Sequence, residues 1–248
     1  MSYHIREPVL TATPIMDLRP TQMTVGMHEV NEKRKAWRGL ALDAKKLQKF
    51  LGAHMVPVVL GPGKQPFLID HHHLARALHD NGVKSVFTTT VADLHQLDEE
   101  AFWTFLDFHA WTHPYDNKGR RRSYADLPKT IDRMKDDPYR AIAGELRRLG
   151  GFAKDSTPFS EFLWGDFLRR RIKLKDVEKD FNGALDIAMK LAKTDDAHYL
   201  PGWCAPHPIN EKPRDKKKDQ GKKGAAKKDT TKKEAGDPVG PPKVSEAN

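Results

Sequence analysis

The chain is poor in cysteine and in long apolar runs. Its 248 residues contain one cysteine, Cys204, and no stretch of about 18 apolar residues that would cross a membrane. A lone cysteine excludes an internal disulfide and fits a reducing compartment. The N-terminal octapeptide MSYHIREP lacks the apolar core of a signal peptide. These absences predict a cytoplasmic protein with no membrane partner.

Apolar residues are scarce in general, at 38% of the chain with a mean hydropathy of −0.70. The C-terminal segment 210–248 contains no Leu, Ile, Met, Phe, Tyr or Trp and carries 12 lysines and arginines against 7 acidic residues. Because it cannot bury a core, this segment is predicted to be a disordered tail. Its lysine clusters favour nonspecific binding to nucleic acid. The alternative is a tail that only solubilises the protein, since interspersed acids dilute the positive field.

The clearest local pattern is a short apolar strand that stops at an aspartate and turns into a helix. Phe67–Ile69 is the predicted strand, Asp70 is a preferred N-cap residue, and Asn81-Gly82 ends the helix. Free helical amide groups, the positive end of the helix dipole and the histidines at 71–73 together predict a phosphate site. The alternative is a set of hydrogen-bonded histidines without a ligand. A zinc site is disfavoured, because consecutive helical residues point about 100° apart.

Strands and helices are predicted on both sides of this junction. In chain order they are a strand within Val9–Leu18, a turn at Arg19–Gln22, a helix at Met27–Trp37, a helix capped by Asp43, a strand at Val56–Leu60 and a strand at Val83–Val91.

The chain beyond Val91 has a helical pattern. The predicted helices begin at Asp98, at Asp137-Pro138, at Pro158 and at Asp176, and the last two extend to Ile172 and Lys193. In the helix from Pro158, the inward residues are predicted to be Phe159, Phe162, Leu163 and Phe167. We therefore expect three regions, a mixed domain at 1–95, a helical region at 96–209 packed on it, and the tail at 210–248.

The order of elements from Val9 to Val91 resembles the ParB/sulfiredoxin superfamily. There the strand-to-helix junction has the form Asp-Gly-Glu-Arg-Arg-x-Arg-Ala in partition proteins and Asp-Gly-His-His-Arg in free-serine kinases. The sequence of the present junction is Asp70-His71-His72-His73-Leu74-Ala75-Arg76-Ala77. Asp70 and the last two histidines match the kinase form, and Arg76-Ala77 matches the partition form. The chain most resembles the divergent, nuclease-type ParB-like branch, which implies an α/β (α+β) fold with a mixed sheet and helices.

Two residues depart from the superfamily pattern. His71 stands in place of the glycine and puts a side chain where the backbone approaches phosphate. Leu74 stands in place of an arginine and removes a bidentate phosphate donor. Either the remaining groups hold the phosphate, or the nucleotide function is altered or lost.

The resemblance implies a nucleotide or another phosphorylated small molecule as partner, with phosphoryl transfer or phosphate hydrolysis as the reaction. The residues implied to bind phosphate are His71, His72, His73 and Arg76. The implied catalytic residues are Glu29, Glu32 and Asp70, of which Asp70 is also the candidate Mg²⁺ ligand. A DNA-associated partition or nuclease-like protein is one alternative, and a non-catalytic binding module of the same fold is another.

Overall fold

The computed structural model describes residues 11–204. This part of the chain contains seven strands: β1 (Thr11–Pro14), β2 (Arg19–Pro20), β3 (Thr24–Val25), β4 (Val56–Leu60), β5 (Pro66–Leu68), β6 (Ser85–Asp93) and β7 (Lys135–Asp136). Its helices are α1 (Met27–Ala36), α2 (Ala44–Ala53), α3 (His72–Asp80), α4 (Glu99–Phe108), α5 (Pro138–Arg148), α6 (Ser160–Arg169), α7 (Leu174–Lys179) and α8 (Phe181–Leu191).

Five of the strands form one mixed sheet in the order β1-β6-β4-β5-β2. β4 and β5 are antiparallel neighbours with Val59 opposite Phe67, and β4 runs parallel to β6. β1 pairs with the other side of β6 and ends at Pro14, so this proline lies on an edge strand where its missing N–H is tolerated. The mixed α/β fold is therefore confirmed. β3 and β7 form a separate parallel pair.

The two faces of the sheet are covered by different helices. Val58 belongs to a buried cluster with residues of α1 and α3, whereas its neighbour Val59 packs with Phe102 and Leu106 of α4. This alternation follows from the two-residue period of a strand. Phe102 and Trp103 of α4 are both buried. A third cluster unites α5 to α8 around Trp164.

Aspartates begin three helices as the sequence predicted. Asp43 accepts a hydrogen bond from the Lys46 amide at the start of α2, and Asp98 accepts one from the Ala101 amide at the start of α4. At α5, Asp137 accepts from the amides of Tyr139 and Arg140, with Pro138 at the first helical position. These caps satisfy amides that a helix leaves without partners.

Three predictions of secondary structure were wrong. Arg19–Gln22 is not simply a turn, because Arg19 and Pro20 pair in parallel with β5 as strand β2. The helix predicted over Asp176–Lys193 is divided into α7 and α8 by Asp180, which caps α8 through the Gly183 amide. The helix predicted from Pro158 begins only at Ser160, and Leu163 is exposed on it while Trp164 is buried.

Two sequence predictions lie outside the described residues. They are the start of the first strand at Val9 and the disordered tail 210–248. Within residues 11–204, no helix is both long enough and apolar enough to cross a membrane. The division into regions 1–95, 96–209 and 210–248 remains a prediction.

Candidate phosphate site at the strand-to-helix junction

The chain turns from β5 into α3 through a left-handed residue. His71 has φ 64° and ψ 24° and is the N-cap of α3, which begins at His72. The prediction that Asp70 caps this helix was wrong. Asp70 lies one residue too far upstream, and its carboxylate accepts from the His71 amide at 2.6 Å. A left-handed conformation favours glycine, the residue of the superfamily pattern at this position, and here a histidine adopts it.

The first turn of α3 offers amide donors to a ligand. The His71 carbonyl accepts from the Ala75 amide at 2.9 Å, which closes the first helical turn. Among the described residues, the amides of His72, His73 and Leu74 have no acceptor. Three such N–H groups at the positive end of a helix dipole favour an anion.

His72 and His73 are hydrogen-bond acceptors that hold the junction against the preceding chain. Nε2 of His72 accepts from the Thr21 amide at 3.3 Å, and Nε2 of His73 accepts from the Gly26 amide at 2.9 Å. A nitrogen that accepts carries no proton, so both rings are neutral in this arrangement. Burial lowers the pKa of each imidazole to about 3.

The other two predicted phosphate ligands lie in different settings. His71 is exposed, and its Nδ1 lies 3.2 Å from the Met55 carbonyl oxygen. The Arg76 guanidinium contacts both carboxylate oxygens of Asp80, at 3.0 and 3.1 Å, and donates to the Met134 carbonyl at 3.0 Å. The structure therefore uses Arg76 to tie α3 to the segment before β7, away from the amides at the start of the helix.

A cleft of about 770 Å³ adjoins the N-terminus of α3. Its walls come from the junction itself, from α1, from α5 and from the start of α6. Residues predicted from sequence that line it are Glu29, Asp70, His71, His72 and His73. Glu32 lies outside this lining, where it pairs with Lys35 at 2.8 Å.

Glu29 lies in this cleft close to nitrogen atoms of three side chains. Its Oε1 is 3.0 Å from Lys33 Nζ, and its Oε2 is 3.6 Å from His73 Nε2 and 3.7 Å from Arg140 Nη1. Burial would raise the pKa of this carboxyl group, but the positive charge around it holds the pKa well below its ordinary value. Because His73 is neutral at pH 7, Lys33 and Arg140 are the cations that stabilise the charged form.

Arg140 is a cleft residue that the sequence did not indicate. Its side chain is only 12% exposed, and its Nε and Nη1 have no hydrogen-bond partner among the described residues. The guanidinium lies over the Phe162 ring, 5.2 Å from the centroid. A guanidinium that is fixed by packing and has donors without partners suits bidentate binding of a phosphate.

Leu74 and Arg140 contribute differently to this cleft. Leu74 is buried in the core beneath the junction, so this position presents no charge to the cleft. Arg140 enters the same cleft from α5, and Arg147 lies about two turns further along that helix. Gly144, between them, leaves the space that the Arg140 guanidinium fills, since a Cβ there would lie 2.9 Å from Nη1. The 140, 144, 147 spacing is the only sequence signal for this face.

The donor set limits the kind of metal site that the cleft accommodates. Within residues 11–204, no group of three His, Cys, Asp or Glu side chains is placed to hold a metal ion. Asp70 is exposed and offers a single carboxylate. This fits Mg²⁺, which commonly takes one or two carboxylates and completes its shell with water and ligand phosphates.

Comparison with known proteins agrees with this architecture. A family model described as "Putative ParB-like nuclease" matches residues 11–170. The crystal structure of protein Atu1540 from Agrobacterium tumefaciens is 46% identical, covers 80% of this chain and 100% of its own, and superposes with a TM-score of 0.73. No curated protein matches the chain.

Proposed function

Because the chain belongs to the ParB-like nuclease family, we propose that its junction cleft binds the phosphate of a nucleotide or nucleic acid. The reaction proposed there is phosphoryl transfer or hydrolysis of a phosphate ester. One observation carries the proposal. The α3 amides without acceptors and the Arg140 guanidinium, two of whose nitrogens have no hydrogen-bond partner among the described residues, line the same cleft. Neutral backbone donors and a fixed cation together form the usual surroundings of a bound phosphate.

Phosphate binding changes the state of Glu29 in this proposal. In the free protein Glu29 is the counter-ion of Lys33 and Arg140, and its low pKa makes it a weak base. A phosphate that engages both cations takes over their charge, so the pKa of Glu29 rises toward its ordinary value. The carboxylate then becomes a better acceptor for the proton of an attacking hydroxyl or water.

Mg²⁺ is proposed to accompany the phosphate, held on the protein side by Asp70. When bound, the ion would neutralise negative charge on phosphoryl oxygens. The residues of the chain provide the remaining interactions: the α3 amides orient the phosphate, Arg140 and Lys33 balance its charge, and Glu29 receives a proton.

Ligand binding by variants of matched charge tests the phosphate site. Arg140→Gln removes the cleft guanidinium, whereas Arg133→Gln removes an equal charge from an exposed residue outside the cavities. We expect ATP, CTP or a short oligonucleotide with Mg²⁺ to stabilise the wild type in a thermal-shift assay. Arg140→Gln should weaken binding at least tenfold, because a charged hydrogen bond contributes about 1.5–3 kcal/mol. Unchanged affinity, or no stabilisation at millimolar ligand, would refute the proposal.

Turnover by Glu29→Gln and Asp70→Asn separates catalysis from binding. Glu29→Gln leaves Arg140 and Lys33 free for phosphate, so binding should persist or tighten while turnover is lost. Asp70→Asn should remove the Mg²⁺ dependence and leave the protein folded. If the wild type binds nucleotides without any turnover, and both variants bind equally well, the chain is a binding module of this fold.

A further inference from the structure

A second cavity, of about 350 Å³, adjoins the junction cleft. Pro158, Phe159 and Phe162 line both cavities, so the two are separated by a partition of these side chains. The remaining walls of the second cavity come from the loop 113–119 and from the outer face of α6, which includes Leu163.

Aromatic rings form one side of this second cavity. The His113 ring stacks on Phe162 with centroids 3.9 Å apart, and it lies 4.7 Å from Tyr115 and 4.9 Å from Phe159. Burial lowers the pKa of His113 to about 3, so the ring is uncharged at neutral pH. A cluster of partly buried, uncharged rings suits a planar aromatic ligand that stacks on them.

The charged groups of this cavity are already paired. Arg169 donates to the buried Asp137 at 2.6 Å and lies 3.3 Å from Asp166. Among the described residues, Arg169 Nε and His113 Nδ1 have no hydrogen-bond partner. Because the charges compensate one another, the cavity suits a neutral ligand with polar edges better than it suits a phosphate.

We propose that this second cavity is the base-binding subsite for a nucleotide whose phosphate lies in the junction cleft, an inference that rests on the proposed function. The two subsites are physically linked, because Arg140 packs over Phe162, the ring that His113 stacks on. Such a ligand must cross the partition formed by Pro158, Phe159 and Phe162. The ring stack recognises the base, and the α3 amides and Arg140 recognise the phosphate.

Calorimetric titration with nucleoside monophosphates and with ribose 5-phosphate tests this assignment. Leu163→Trp fills the second cavity and leaves the junction cleft open, since Leu163 lines only the former. Leu174→Trp is the control, because both leucines are 46% exposed and Leu174 lines neither cavity. We expect Leu163→Trp to weaken nucleoside monophosphate binding about tenfold or more, with ribose 5-phosphate unaffected. Leu174→Trp should change neither affinity.

Two results would overturn the base subsite while leaving the phosphate site intact. One is equal affinity of the wild type for ribose 5-phosphate and for every nucleotide. The other is a Leu163→Trp variant that binds nucleotides as tightly as the wild type. If the wild type binds neither ribose 5-phosphate nor any nucleotide, the proposed function itself fails and the subsite fails with it.

Discussion

His71 combines an exposed side chain with the backbone conformation that glycine adopts most easily. His71→Gly removes the steric cost of that conformation but increases the entropy of the unfolded chain, so its stability should stay within about 1 kcal/mol of the wild type. His71→Val should lower the free energy of unfolding by about 1–2 kcal/mol, because a β-branched residue fits the left-handed region poorly. Urea unfolding measures both. If the valine variant is as stable as the wild type, the backbone at residue 71 does not require the left-handed conformation.

The junction histidines make stability depend on pH. The pKa of His72 and of His73 is about 3 in the folded protein against an ordinary 6.5, because burial disfavours the charged ring. Between these values the unfolded chain binds more protons, so the free energy of unfolding falls as the pH decreases from about 6.5. The loss should approach about 1.4 kcal/mol per pH unit for each histidine. Chemical unfolding at pH 7, 6 and 5 measures this slope.

His72→Gln is the control for that slope. A glutamine oxygen accepts from the Thr21 amide but does not titrate. The free energy of unfolding of the variant should therefore fall by about 1.4 kcal/mol less per pH unit than that of the wild type. His73 and His113 continue to titrate in this variant, which keeps a residual slope. Identical slopes for the two proteins would contradict the assignment of His72 as a buried neutral acceptor.

At the level of elements, the N-terminus of α1 and the first turns of α5 meet at Gly26. A Cβ at this position would lie 2.8 Å from the Ala141 Cα, a backbone atom that cannot move aside alone. Gly26→Ala should therefore separate α1 from α5, lowering the free energy of unfolding by about 1–3 kcal/mol. It should also weaken phosphate binding, because Glu29 and Arg140 lie on these two helices. Unfolding and ligand titration of one variant measure both effects.

Gly52→Ala provides the matched control for Gly26. Gly52 lies inside α2 with nothing within 4 Å of an added Cβ, so alanine should stabilise the protein by about 0.5–1 kcal/mol and leave ligand affinity unchanged. If Gly26→Ala behaves like this control, the contact between α1 and α5 at Gly26 is not closely packed.

Elements with local signals were predictable from sequence, and elements defined by partners were not. The aspartates that begin α2, α4 and α5 act within their own first turns, so their sequence pattern was sufficient. β2 was missed because two residues become a strand only through pairing with β5. The left-handed turn at His71 was missed because its residue type gives no sign of it, and the cap expected from Asp70 was wrong for the same reason.

The candidate site also contains residues that the sequence predicted and residues that it did not. The resemblance pointed to Asp70, to the three histidines beside it and to Glu29, and all of these line the cleft. Arg140 was missed because the 140, 144, 147 spacing does not by itself distinguish a cleft arginine from a solvated one. Its position depends on the packing of α5 against α1 and α6, which only the tertiary structure provides.

At the scale of the whole molecule, the formal charge of +9 is distributed over a folded part and a basic tail. Residues 210–248 contribute a net +5 of this charge, from 12 basic and 7 acidic residues. In our proposal, the cleft cations and the tail are two separate sources of attraction for nucleic acid. The two sources differ in selectivity. A phosphate site of fixed donors is selective, whereas clustered lysines act mainly through counter-ion release.

Removal of residues 210–248 tests which source dominates. Because this segment lacks large apolar residues, the shortened chain should keep its melting temperature and its cleft affinity for nucleotides. Its affinity for duplex DNA at low salt should fall, and the dependence of log K on log salt should flatten by about 0.9 for each phosphate that the tail no longer neutralises. Arg140→Gln in the full-length chain is the counterpart and should flatten that salt slope by no more than about 0.9, because it removes one phosphate contact. If the shortened chain binds duplex DNA with the original affinity and slope, the tail does not touch the DNA and the folded part carries the binding.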